Sequence, residues 1–223
     1  LCFYIKSIFK DLHTKGQKKA KFLWKRGSRR SLCSCFKIRL WEIDINMGCP
    51  DKSIEKQGAG AALIKDPKLA QEIILATKEG AGDMPVSVKT RAGYNKDILD
   101  EWLPKLLEVK PAAITVHARI RKDLSLVPAR WDIVARAVDI ARGSGTLILG
   151  NGDVQSLADG EEKARATGAD GVMLGRAVFG TPWLFDRARP TPPTLSEKFE
   201  ILIEHTHLFE KLLGDIKSFA LMK

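Results

Sequence analysis

From residue 41 onward, short runs of β-branched and apolar residues alternate with longer segments whose apolar positions recur at helical spacing. The runs are Trp41–Asn46, Val86–Thr90, Ala113–His117, Thr146–Gly150 and Gly171–Gly175. Between the first two, Asp66 reads as an N-cap and Pro67 as the first helical residue. Leu69, Ile73, Ile74 and Thr77 then share a face, and Gly80 closes the helix. Further helical patterns cover about 97–109, where Pro104 is expected to introduce a kink, then 131–142 and 156–167, the last followed by Gly168. Strands alternating with helices in this way predict parallel βα units. No GxGxxG follows the first strand, which weakens a dinucleotide-binding sheet. The pattern instead predicts an α/β fold: a partial (β/α)8 TIM barrel of about five βα units, followed by the start of a C-terminal helical domain.

The pattern changes after Trp183. Arg189-Pro-Thr-Pro-Pro193 reads as a linker, and Thr194-Leu-Ser-Glu197 as a capping box. The helix that follows carries Phe199, Leu202, Ile203, Thr206, Phe209, Leu213 and Ile216 at helical spacing, a surface for packing. Three segments result: 1–40, a basic head of uncertain structure; 41–188, the barrel portion; and 189–223, the linker and first helix.

Charge sharpens that division. Of the net +10 over 223 residues, the head carries 12 Lys and Arg against Asp11 alone, while residues 41–223 are close to neutral. The head is either a solvated leader or a nucleic-acid arm. It includes Lys6 and has no small-residue cleavage signal, which argues against a secretory peptide. No apolar run approaches the ~18 residues of a membrane span. Cys2, Cys33, Cys35 and Cys49 provide neither a disulfide framework nor a zinc set, so no metal is expected and a reducing cytoplasm fits.

Chemistry-bearing residues cluster just after the strands: Cys49; Lys89 and Arg91; His117 and Arg119; Asn151 and Asp153; Arg176. That carboxyl edge is where parallel sheets build their sites. Asp44-Ile-Asn-Met-Gly-Cys-Pro50 ends the first strand in a Gly-Pro turn that presents a single thiol, with Gly58-Ala-Gly-Ala-Ala62 close behind. Asn151, Gly152, Asp153, Gly175 and Arg176 follow the last two strands. Glycine backbone, a helix N-terminus and a guanidinium would together suit a phosphate there.

Asn46-Met-Gly-Cys-Pro50, Gly58-Ala-Gly-Ala-Ala62, Val88-Lys-Thr-Arg91, Val116-His-Ala-Arg119, Gly150-Asn-Gly-Asp153 and Gly175-Arg176, in this order and with Pro182-Trp183 after them, resemble the tRNA-dihydrouridine synthases over about residues 43–185. The resemblance implies an FMN-dependent barrel oxidoreductase with NADPH as reductant and tRNA as substrate. Reduced flavin would deliver hydride to carbon 6 of a uracil while Cys49 protonates carbon 5, a role open to a thiol whose ordinary pKa of ~8.5 keeps it protonated at neutral pH. By the same resemblance Lys89 and His117 contact the flavin, Asn151, Gly152, Asp153, Gly175 and Arg176 hold its phosphate end, and Asn46 and Arg119 meet the substrate. Asn46 also reads as a plain strand-end turn former. No obligate protein partner is implied.

The family also has three strands ahead of the Cys-bearing one, with a Pro-Met-Ala-Gly loop and a flavin-binding Gln that are not found here. Residues 21–35 look foreign to it, and the initiating Met is missing. The expectation for the chain as it stands is a half-barrel with a loosely packed head and a protruding last helix, binding FMN weakly and modifying no tRNA. Two other readings stand beside it: an FMN-dependent reductase of a free pyrimidine, and a non-catalytic fragment that binds RNA through its basic head.

Overall fold

The computed structural model describes residues 42–179, 181, 183–186 and 193–214. The basic head and residues 215–223 lie outside that range, as do Trp41, Pro182 and Ile216 from the sequence expectations. The chain divides into two compact units, Leu1–Gly180 and Thr181–Lys223, so the division falls ahead of the expected boundary at residue 188.

The first unit holds five strands, β1 (Ile43–Asn46), β2 (Val86–Arg91), β3 (Ala113–His117), β4 (Leu147–Asn151) and β5 (Gly171–Met173). They form one parallel sheet in the order β1-β2-β3-β4-β5. The order never reverses, so each right-handed crossover places its helix on the same face of the sheet. The helices are α1 (Lys52–Glu55), α2 (Pro67–Ala81), α3 (Leu99–Leu107), α4 (Asp132–Ala141) and α5 (Leu157–Thr167), with α2 to α5 packed side by side. This is the arrangement of successive units in a (β/α)8 barrel, here five units long.

Strand register explains the core. Ile45, Val88, Ile114 and Ile148 are direct neighbours across four strands and are 5%, 0%, 0% and 2% exposed. They meet Ile74, Leu99, Trp102, Leu103, Leu106, Ile133 and Ala137 of the helices in one cluster. Side chains alternate along a strand, so the next row, Asn46, Lys89, Thr115 and Leu149, faces the other way. So does the row Arg91, His117, Asn151 and Met173, two residues further along.

Most boundaries match the periodicity, and the differences have local causes. Helix α2 runs through Gly80 and stops at Gly82, which takes the left-handed φ of 64° that ends a helix. Asp66 caps its start through Leu69 N (3.0 Å), as the Asp-Pro pair predicts. Helix α3 begins at Leu99, whose N–H donates to Asp97, and continues through Pro104 to Leu107. β4 starts at Leu147, after Thr146, whose N–H donates to Ser144 Oγ (3.1 Å) and whose hydroxyl donates to Pro111 O (2.9 Å), and it extends to Asn151. β5 is three residues long and ends before Gly175. Ser156 and Gly168 cap α5, Gly168 at φ 74°.

In the second unit, α6 (Leu195–Leu213) opens with Thr194 and Glu197 in a full capping box. No described helix is long and apolar enough to cross a membrane.

The asymmetry of the sheet sets a stability contrast. Leu103, fully buried on the helix side, should cost about 2–5 kcal/mol when cut to alanine. Leu147→Ala should cost no more than about 0.5 kcal/mol, because this residue is already 52% exposed. Urea unfolding of the two variants measures both.

Candidate active site

The turn after β1 is built to hold Cys49 in one place. Asn46 Oδ1 accepts from both Gly48 N and Cys49 N at 3.0 Å. Arg91 Nε donates to Gly48 O at 2.8 Å, and Ala61 N donates to Cys49 O at 2.9 Å. The peptide units on both sides of the Cys49 Cα are therefore pinned, and the thiol, half-buried and unpaired, is aimed by the backbone. Gly60 sits at φ 62°, where a Cβ would lie 2.7 Å from Cys49 O, so the second glycine of Gly58-Ala-Gly60 is required by this contact. The Gly-rich stretch itself forms a 3-10 turn, Gly60–Lys65, which periodicity did not predict.

Asn46 thus fills the turn-forming role. Its side-chain oxygen accepts from two backbone amides. Thr90, fully buried behind the turn, accepts from Trp102 Nε1 at 3.0 Å and donates to Met47 O at 3.3 Å.

The second cluster gathers at the ends of β3, β4 and β5. His117, Arg119, Ser125, Asn151, Gly152, Asp153, Val154, Gly175 and Arg176 line a cleft of about 170 Å³. That is below the ~300–1,000 Å³ of whole small-molecule sites. The cleft suits one end of a ligand.

Its centre is the Asp153 carboxylate. Oδ2 accepts from Arg119 Nη2 (2.5 Å) and Ala129 N (2.9 Å), and Oδ1 accepts from Arg176 Nη2 (2.7 Å). These donors, Arg119 first, hold its pKa below the usual carboxylate range. They also hold Asp153 at φ 53°, a backbone region that L-residues seldom occupy. The Arg119 side chain is 3% exposed and bonded to Asp153, Val127 O (2.6 Å) and the His117 ring. Arg176, 68% exposed, is the more solvent-facing cation of the pair. It opens a 3-10 turn, Arg176–Val178, and its guanidinium supplies positive charge at this end of the cleft.

His117 Nε2 lies 3.2 Å from Arg119 Nη1. A guanidinium can only donate, so Nε2 accepts and the ring proton resides on Nδ1. Burial, followed by the nearby charges of Arg91, Lys89 and Arg119, lowers the His117 pKa to about 3. The ring is neutral at physiological pH. With Asp153 ionised between two arginines, the cleft carries a net positive charge and favours an anion.

The glycines here have distinct reasons. A Cβ on Gly150 would fall 2.4 Å from the Trp131 ring, and Trp131 Nε1 donates to Gly152 O at 3.0 Å. Gly152, at φ 130°, lies against the His117 ring and Ala129, while Gly175 opens on free space. Asn151 Nδ2 is bonded to Met173 O at 2.7 Å, so its amide holds β5 in place. Lys89 sits beside Asn46 and Thr115 in the register, on the same sheet face as His117. Among the described residues, no three metal-binding side chains converge.

Three structural participants carry no role in the sequence reading: Trp131, Ala61 and the ion pair of Arg121 with Glu55, which ties the loop after β3 to α1. Arg91 was visible as a strand-end cation, but its carbonyl partners lie 29 to 43 residues away and left no local signal.

Neutral His117 makes stability pH-dependent. The unfolded ring takes up a proton near pH 6.5, whereas the folded one does so only near 3. The unfolded state therefore binds more protons across that window, and stability falls as the pH is lowered, by at most about 1.4 kcal/mol per unit. Between pH 6.5 and about 5, before the carboxylates titrate, His117→Asn should flatten the slope of unfolding free energy against pH. Urea unfolding across that range checks it.

Residues 35–222 match the family model for dihydrouridine synthase (Dus). A "Probable tRNA-dihydrouridine synthase" of Staphylococcus aureus (strain MRSA252) is 40% identical over 176 residues, 78% of this chain and 53% of the relative. "Probable tRNA-dihydrouridine synthase 2" of Bacillus subtilis (strain 168) is 36% identical over 172 residues, 76% of this chain and 52% of the relative. The chain spans about half the length of the curated relatives it matches. With the family model covering well over half of it, the chain belongs to the dihydrouridine synthase family.

Proposed function

We propose that this sequence carries the proton-donating and phosphate-holding part of an enzyme that reduces uridine in tRNA to 5,6-dihydrouridine. The observation that carries the reading is the Cys49 turn: a half-buried thiol, held by backbone contacts at the carboxyl edge of a parallel sheet. A general acid must meet its target atom at a set distance, and a pinned main chain provides that.

The proposed prosthetic group is flavin mononucleotide, which when bound supplies the hydride; NADPH is the proposed reductant. The residues present fit it. Gly175 leaves room for close backbone approach, and Arg119 and Arg176 outweigh Asp153. Arg176, exposed at the rim, would release one contact with Asp153 and meet the phosphate. Lys89 would place positive charge on the sheet face shared with His117, whose Nδ1–H would donate to the ring system. Asn46 would act through the turn it holds, and Arg119 through the His117 tautomer and the Asp153 carboxylate. Cytoplasmic residence follows from the tRNA substrate.

Equilibrium dialysis of the protein against FMN, followed by its flavin spectrum, tests the cofactor. Arg176→Ala should weaken retention by about tenfold or more, the equivalent of a charge-assisted contact of roughly 1.5–3 kcal/mol. An unchanged dissociation constant would remove the phosphate assignment.

For the thiol, Cys49→Ala in an intact parent enzyme should lower dihydrouridine formation on unmodified tRNA about 100-fold or more and leave flavin reduction by NADPH near the unsubstituted rate. Equal loss in both half-reactions would make Cys49 structural.

A further inference from the structure

Arg91 is an arginine without a carboxylate. It is 7% exposed at the end of β2 and, among the described residues, forms no ion pair. Its guanidinium instead donates to three main-chain carbonyls: Nε to Gly48 O (2.8 Å), and Nη1 to Ile120 O (3.2 Å) and Leu124 O (3.1 Å). Burial, and then the charge of Arg119, push its pKa down, yet a guanidinium remains charged. A buried cation satisfied by carbonyl dipoles alone is an expensive way to join loops, because removing either side leaves a strong group unpaired.

The carbonyls it selects are informative. Gly48 O belongs to the peptide unit leading into Cys49, and the N–H of that same unit is held by Asn46. The unit is gripped at both ends, so it cannot rotate without breaking a contact to a side chain. Gly48 also lies so close to β2 that a Cβ would stand 3.2 Å from Thr90 C, which leaves the turn no room to slide inward. On the other side, Leu124 adopts φ 51°, a left-handed conformation that leucine rarely takes, and its carbonyl is the one Arg91 binds. The loop after β3 that carries Leu124 also supplies Ser125 to the anion cleft.

We infer that Arg91 is a positioning residue: its planar guanidinium locks the Cys49 turn to the loop after β3, so that the thiol and the anion cleft are held as one unit. Lysine cannot substitute. An ammonium has no fork and cannot meet carbonyls on two loops from one plane. The catalytic consequence rests on the reading of Cys49 as proton donor, but the lock itself is testable whatever the thiol does.

The test is iodoacetamide alkylation of Cys49 in the full chain, resolved from the other cysteines by peptide mass spectrometry and measured against pH. Arg91→Lys and Arg91→Gln should both raise the plateau rate about tenfold, since the turn opens and the thiol becomes more accessible. Arg136→Gln, which breaks the ion pair to Asp97 away from the turn, is the control for general loosening. The inference is overturned if both Arg91 variants react at the unsubstituted rate, or no faster than Arg136→Gln. It is equally overturned if Arg91→Gln alone slows while Arg91→Lys is unchanged, since that pattern belongs to a purely electrostatic role. Should neither Arg91 variant fold, amide exchange in the unsubstituted protein decides: the lock requires Gly48 and Cys49 N–H to exchange as slowly as β2. Exchange as fast as the exposed 125–127 tip rejects it.

Discussion

Parallel strands joined by right-handed crossovers deliver every following loop to the same sheet edge, and the candidate site depends on that constraint. The register then decides which side chains meet. Asn46 stands beside Lys89, Arg91 beside His117, and His117 beside Asn151, all on the face opposite the helices. A slip of one residue would turn each of them toward the core. The row Ile45, Val88, Ile114 and Ile148 prevents such a slip, because it would leave four buried apolar side chains facing water. The core thereby fixes the polar geometry on the other side.

Two arginines at this edge solve the burial of charge in opposite ways. Arg119 has a carboxylate, Asp153, and their pairing leaves the cleft only as positive as its remaining cations make it. Arg91 donates to three carbonyls and, among the described residues, forms no ion pair, so it joins segments of main chain. The arginine–carboxylate group also reaches His117, where a donor on Nε2 leaves the imidazole neutral with its proton on Nδ1. The Asp153 cleft, the imidazole and the thiol turn are thus connected through side chains that were separate motifs in the chain.

Much of the fold was legible because it rests on short-range physics. β-branched runs, the Asp66-Pro67 start, the Ser156 cap, the Gly168 stop and the Thr194–Glu197 box depend on residues within a few positions of one another. Where boundaries moved, a side-chain contact or a choice between nearby glycines accompanies the change. Thr146 bonds to Ser144 and Pro111 ahead of β4, and α2 passes Gly80 to stop at Gly82.

The sequence by itself determined the alternation of strands and helices, the edge on which the chemistry collects, and the motifs at Cys49, Lys89, His117, Asn151 and Arg176 that resemble one enzyme family. Tertiary structure alone decided what those groups touch. The Asn46 oxygen is bound to the amides of its own turn, and Arg119 is buried on Asp153. The physical reason is range. Helix caps and turns are set by neighbours in sequence, whereas a buried guanidinium or carboxylate takes whichever partner the folded chain brings within about 3 Å, and here the carbonyl partners of Arg91 are 29 to 43 residues away and the carboxylate partner of Arg119 is 34.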